Sequence, residues 1–125
     1  MTEAERPIAA ISWEGDSRSV LASFPDEVKG SVGFALYQLQ RGFPPGIASR
    51  RMNSLGPGVF ELKESDERGW YRVLYLSRIG DTIYVLHCFR KQSRRTSKRD
   101  LEIAAMRLAQ VRRRILAEGA IAKRT

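Results

Sequence analysis

The 125-residue chain is poor in the side chains that most catalysts use for chemistry, holding one cysteine, Cys88, and one histidine, His87. A single cysteine excludes a disulfide within the chain and fits a reducing compartment. Cys88 stands inside an apolar run, where it reads as a small buried hydrophobe rather than a reactive thiolate. One His and one Cys fall short of the ligand set of a usual zinc site, so any chemistry is expected to run without a metal or other cofactor. No apolar stretch approaches the roughly 20 residues that a membrane-crossing helix needs. The opening MTEAERPIAAISWEG brings acids where a secretory leader would have a basic stretch and a long apolar core. Together these absences predict a cytoplasmic protein without a membrane segment or leader.

What is present fits one ordinary soluble domain: 42% of residues are hydrophobic and 29% charged. A chain of this size buries roughly two-thirds of the surface its unfolded form exposes, enough for a core without staples. The net charge of +8 is unevenly spread. Residues 1–89 hold 10 Lys/Arg against 11 Asp/Glu, whereas residues 90–125 hold 12 against 3. A segregated basic end is the footprint of a polyanion binder. A solvated basic helix or an acidic protein partner fits the composition equally well.

Along the chain, Ile8 to Trp13 reads as a first strand, broken at Glu14-Gly15-Asp16. Asp16 is suited to cap a short helix through Val20, Leu21 and Phe24. Pro25 fits the first turn of a second helix, followed by Asp26 and Glu27 at its positive end. Val28, Val32, Ala35, Leu36 and Leu39 make its apolar face, and Gly42 is a natural stop. Residues 43–58, rich in Pro, Gly and Ser, read as a connecting loop whose only charges are Arg50 and Arg51. Three strands are expected next, Val59 to Glu64, Trp70 to Arg78 and Thr82 to Arg90, joined by short turns as an antiparallel meander. A final helix from about Ser97 to Ala117 has capping-box spacing in Ser97 and Asp100 and an apolar stripe of Leu101, Ala104, Leu108, Val111 and Ile115. Arg112, Arg113 and Arg114 suit its C-terminal end, and Gly119 to Thr125 reads as a frayed tail. The resulting class is α+β: strand, helical hairpin, three-stranded antiparallel meander and C-terminal helix in a single domain.

Three local motifs stand in that order. They are Gly58-Val59-Phe60-Glu61-Leu62-Lys63, then Tyr71-Arg72-Val73-Leu74-Tyr75, then His87-Cys88-Phe89-Arg90-Lys91-Gln92-Ser93 continued by Thr96-Ser97-Lys98. Together with Ile11-Ser12-Trp13 and Phe24-Pro25 they make residues 8–116 resemble the RelE/ParE toxin superfamily, in its HigB-like, phage-derived branch. Two departures are the missing proline of the T-P-K stretch and Gln92 in place of a lysine. The resemblance implies the toxin of a type II toxin–antitoxin pair. Such a toxin cleaves messenger RNA on the ribosome and is held inactive by a cognate antitoxin, often a helix-turn-helix protein. Family enzymes use the RNA's own 2′-hydroxyl as nucleophile, a route without metal. ParE-like members inhibit DNA gyrase instead, and a plain basic nucleic-acid-binding domain is the third possibility that the charge pattern fits.

The 2′-hydroxyl route asks for a proton acceptor, cations around the phosphorane and a donor to the leaving oxygen. Arg72 is the foremost candidate, because a guanidinium is always charged and grips phosphate through two donors. The competing explanation is a surface salt bridge to Glu61 or Glu64. By the resemblance Lys91 falls where the family carries a catalytic cation, and Lys63 matches a strand position where it carries Arg or Lys. Either acts as a base only if desolvation or neighbouring cations lower its pKa from about 10.4. His87 is a further acid–base candidate or else a structural histidine of the strand. Arg90, Arg94, Arg95 and Lys98 of the basic run, with Arg50 and Arg51 of the loop, are candidate RNA contacts.

Strand parity leaves the cleft open. If Gly80-Asp81 is a two-residue turn, Arg72, Leu74, Val85, His87 and Phe89 share one face, and Tyr71, Val73, Tyr75, Tyr84, Leu86 and Arg90 the other. Both faces carry apolar residues, so either could be the core. The tyrosines are suited to stack bases or to pack against helices.

Overall fold

The computed structural model describes residues 7–93 and 95–124. Residues 1–6, Arg94 and Thr125 lie outside it, and with them the acidic opening, the RNA contact expected of Arg94 and the last residue of the expected tail. The chain runs β1 (Ala10–Trp13), α1 (Ser17–Ala22), α2 (Asp26–Gln40), β2 (Ala48–Arg51), β3 (Val59–Asp66), β4 (Gly69–Ile79), β5 (Thr82–Lys91) and α3 (Lys98–Arg124). The five strands form one sheet in the order β1-β5-β4-β3-β2, with β1 parallel to β5 and every other pair antiparallel. The α+β class and the three-stranded meander stand as expected.

Both faces of the sheet are core, which is why the apolar pattern could not choose between them. Val28, Val32, Ala35 and Leu36 of α2 close over Leu62, Tyr71, Val73, Tyr75, Ile83, Val85 and Cys88. On the other face the α3 stripe, Ala104, Leu108 and Val111 with Leu101 and Ile115 beside them, covers Val59, Leu74, Leu76, Leu86 and Phe89. Nearly all of these side chains are fully enclosed, so each contributes about 1.5–3 kcal/mol of transfer free energy.

Several boundaries move. Residues 48–51, read as loop, form the edge strand β2; its four residues are all exposed and two are arginines, so no apolar alternation marks it. β1 starts at Ala10 rather than Ile8. Pro25 sits at the cap of α2, one place before the first turn. Asp16 precedes α1 without a side-chain cap, because its carboxylate accepts from Arg107 Nη2 at 2.9 Å. The last helix does not end near Ala117 but continues to Arg124. The expected face sharing fails at one point: Leu74 pairs with His87 and Tyr75 with Val85, so Leu86 is an unopposed bulge. The bulge turns Val85 toward the helical hairpin and Tyr84 and Leu86 toward α3.

Glu14, just past β1, ties the start of the sheet to α3. Its carboxylate accepts from Arg114 Nη1 at 2.8 Å and from Ser12 Oγ at 2.6 Å. Burial pushes this carboxyl up, but the bonds from Arg114 and Ser12 and the charges of Arg114 and Arg107 outweigh it, leaving the pKa below the ordinary value. A carboxyl lowered on folding stabilises above its unfolded pKa and loses that contribution as pH falls through the folded one. Glu14→Gln is therefore expected to cost about 1–2 kcal/mol at pH 7, since Arg114 is half exposed, with the gap narrowing below about pH 4. Urea unfolding at the two pH values checks this, and a gap that ignores acid would contradict it.

Candidate functional site

Register gathers the cations. Arg50 lies opposite Glu61, Lys63 opposite Arg72, and Trp70 opposite Lys91, all on the α3 face of the sheet. This end of the face lies beyond the apolar stripe of α3, and Thr96 reaches into it. At its centre is Glu61, 1% exposed. Glu61 accepts from Arg50 Nε at 3.0 Å and from Thr96 Oγ1 at 3.3 Å, and Arg72 Nε stands 3.6 Å away. Thr96 Oγ1 in turn accepts from Lys91 Nζ at 3.2 Å. Gly69, at φ +155°, lets β4 begin against this strand end, since a Cβ there would meet the Lys91 carbonyl oxygen at 3.0 Å.

Arg72 and Lys91 are both buried, at 6% and 8% exposure. Arg72 Nη1 donates to the carbonyls of Tyr71 at 3.0 Å and Glu64 at 3.4 Å. Its Nε is enclosed without a hydrogen bond, because 3.6 Å to Glu61 is an ion pair but too long to be one. Burial lowers the Arg72 pKa, Glu61 opposes that and Arg50 adds to it, the net shift being down. Lys91 is likewise lowered, by burial first and by Arg72 next. That is the direction an acid–base lysine requires. Two adjoining hollows, of about 380 and 350 Å³, share Lys63, Trp70 and Arg72 in their walls, and Arg50 and Glu61 line the larger.

Other candidates lie elsewhere. Arg90 and Arg51 alternate away from their neighbours onto the hairpin face. There Arg90 lies 5.7 Å over the Tyr71 ring and donates to the Arg68 carbonyl at 2.7 Å, while Arg51 lies 5.9 Å over Phe60. Lys98 is 91% exposed and pairs with Glu102 at 3.9 Å, and Arg95 is exposed on the loop. Tyr71 and Tyr75 are core residues of the hairpin side, so packing rather than base stacking accounts for them.

His87 has both ring nitrogens committed. Nε2 meets Asp100 Oδ1 at 2.8 Å and Nδ1 meets Arg107 Nη1 at 3.2 Å, while the ring stacks on Phe89 at 5.1 Å. Arg107 also donates to the Leu86 carbonyl at 3.0 Å, lying against Gly15 where any Cβ would collide with its guanidinium. Asp100 is held by Ser97, whose Oγ donates to Oδ2 and accepts from the Asp100 N–H at 3.1 Å. These contacts tie His87 on β5 to α3, and Arg107 carries the connection on to Asp16 at the α1 entry.

Sequence reasoning passed over Glu61, Thr96 and Trp70 as site residues. A carboxylate between Phe60 and Leu62 in a strand is the legible signal for the first, since a charge at an inward position demands partners. Among the described residues no three of His, Cys, Asp or Glu gather as metal ligands. The arrangement is a set of cations around one internal carboxylate, opening on a groove wide enough for a phosphate and its neighbours.

The family model described as Phage derived protein Gp49-like (DUF891) matches residues 19–109, a span that contains Arg50, Glu61, Lys63, Trp70, Arg72, Lys91 and Thr96. No curated protein matches the chain.

Proposed function

The chain belongs to the phage-derived Gp49-like family, and from that premise we propose that it is the toxin of a type II toxin–antitoxin pair, a RelE/HigB-like endoribonuclease acting on messenger RNA at the ribosome. The observation that carries this reading is the convergence of buried Arg72 with Arg50 and Lys63 at one groove, with buried Lys91 joined to the same Glu61 through Thr96. Preorganised, partly desolvated cations stabilise charge that grows in a phosphorane far better than solvated ones.

In this mechanism the RNA's 2′-hydroxyl oxygen bonds to the adjacent phosphorus, and the bond from phosphorus to the 5′-oxygen breaks. The products are a 2′,3′-cyclic phosphate and a free 5′-hydroxyl. Lys91, lowered by burial and by Arg72, takes the 2′-hydroxyl proton as the neutral amine. Arg72 and Arg50 hold the equatorial oxygens, with Glu61 fixing both guanidinium groups. Lys63 donates to the leaving 5′-oxygen. The basic residues 90–125 supply the non-specific attraction to RNA and a surface for an acidic segment of a cognate antitoxin, a helix-turn-helix protein. No helix among the described residues is long and apolar enough to cross a membrane.

Induced expression followed by mapping of transcript 5′ ends tests the reading. New 5′-hydroxyl ends inside translated regions are expected within minutes. Intact transcripts with double-strand DNA breaks would put the protein in the gyrase-inhibiting class, and neither outcome would leave a non-catalytic binder.

A further inference from the structure

With exposed Phe43, Trp70 is one of two aromatic residues that neither a core cluster nor a ring pair holds among the described residues. It belongs to neither core cluster, although it is half-buried at the start of β4. The rings of Phe24, Phe34, Phe60 and His87 each pair with another ring. Among the described residues Trp70 has no ring partner and no acceptor for its indole N–H. It lines both hollows of the groove together with Lys63 and Arg72, which pair directly across β3 and β4 one step along the same face. Its half-buried indole thus stands beside two cations and outside both cores.

We propose that Trp70 is a stacking platform for one unpaired nucleobase beside the phosphate bound at Arg72 and Lys63, so that the groove takes single-stranded RNA and refuses duplex. The inference rests on the phosphate-binding reading of the cleft and adds the base to it. Trp70 and Arg72 are two apart on one strand and face the same way, roughly 7 Å from each other. One nucleotide bridges that separation from its base to its phosphate. A base inside a duplex is already stacked on both faces and cannot lie on the indole. Every base has a π-face, so the platform selects for an unpaired strand more than for sequence.

The chain has two tryptophans, so Trp13→Phe leaves Trp70 as the only indole reporter. Its fluorescence is followed on titration with a short 2′-O-methyl RNA single strand, which binds but lacks the nucleophile. The same strand made abasic and the same sequence as a duplex are the comparison arms. The single strand is expected to quench Trp70. Trp70→Ala should weaken its binding about tenfold with the salt slope unchanged, and Trp70→Phe should restore most of the affinity. The abasic strand should bind without quenching and be indifferent to Trp70→Ala. If the single strand binds, weakens on Arg72→Lys and yet leaves the indole unquenched, or if the duplex binds as tightly, the platform is wrong and the phosphate site survives. If no strand binds at all, the platform falls, while cleavage at the ribosome stands or falls on the transcript 5′ ends. Should Trp13→Phe not fold, titrating the wild-type protein against Trp70→Phe isolates the Trp70 signal by difference.

Discussion

Arg72→Ala combined with Lys91→Ala is expected to abolish RNA cleavage, and the loss should be nearly complete in either single variant already. Removing one preorganised donor from a developing oxyanion costs about 10²–10³ in rate. Groups acting on one phosphate work as a unit, so the double variant should lie only a few-fold below the worse single one. Alanine at position 72 also strips a partner from Glu61, a carboxylate that is 1% exposed, so lost activity alone would be ambiguous. Arg72→Lys separates the effects. It keeps a positive charge near Glu61 but loses the planar fork that grips two oxygens. Cleavage of a ribosome-bound message should still fall at least tenfold in Arg72→Lys while the urea midpoint moves little. Wild-type cleavage by a folded double variant would remove the groove from the reaction altogether.

The course of the sheet was readable where side chains alternate under burial. The strands at 59, 70 and 82, the α2 face and the α3 stripe all bury apolar groups, and burial is what pattern reports. β2 was illegible because a four-residue exposed edge strand buries nothing. The Leu86 bulge was illegible because one extra residue leaves every local propensity unchanged and still reverses the faces beyond it. The site divides in the same way. Arg72, Lys63 and Lys91 could be named from their strand motifs, and Arg50 from its isolation in a polar stretch. Strand parity sets Arg90 on the face opposite Arg72, as the structure has it, whereas Arg51 was grouped with Arg50 because adjacency in sequence hides alternation. The salt bridge weighed as the bland explanation of Arg72 exists, at 3.6 Å to Glu61, but it is buried rather than superficial. Structural pairing and a catalytic role therefore do not compete: a guanidinium fixed by a buried carboxylate is already positioned for phosphate.

That dependence makes Glu61 the residue whose loss should cost the fold most. Arg72 and Lys91 are buried cations, and Glu61 is the carboxylate shared by Arg50, Arg72 and, through Thr96, Lys91. Removing one partner from a buried ion pair leaves an uncompensated charge, at a cost of about 3–5 kcal/mol. Glu61→Ala is expected to lie in that range, and Glu61→Gln somewhat below it, since an amide oxygen in the Oε1 position still accepts from Arg50 while the amide nitrogen faces the Thr96 hydroxyl. The penalty should also depend on pH in a direction set by Lys91. Burial and Arg72 lower its pKa while Glu61 raises it, so removing the Glu61 charge lowers it further. A lysine lowered on folding binds fewer protons in the native state than in the unfolded one, and stability rises with pH between its folded pKa and about 10.4. The stability deficit of Glu61→Gln relative to wild type should therefore shrink between pH 7 and pH 9.5, as the native variant releases a proton from Lys91. Urea unfolding of both proteins at the two pH values measures the difference. A deficit that stays constant would mean that Lys91 is not strained by its cationic neighbours, and Lys91 would then lose its place as the base of the proposed reaction.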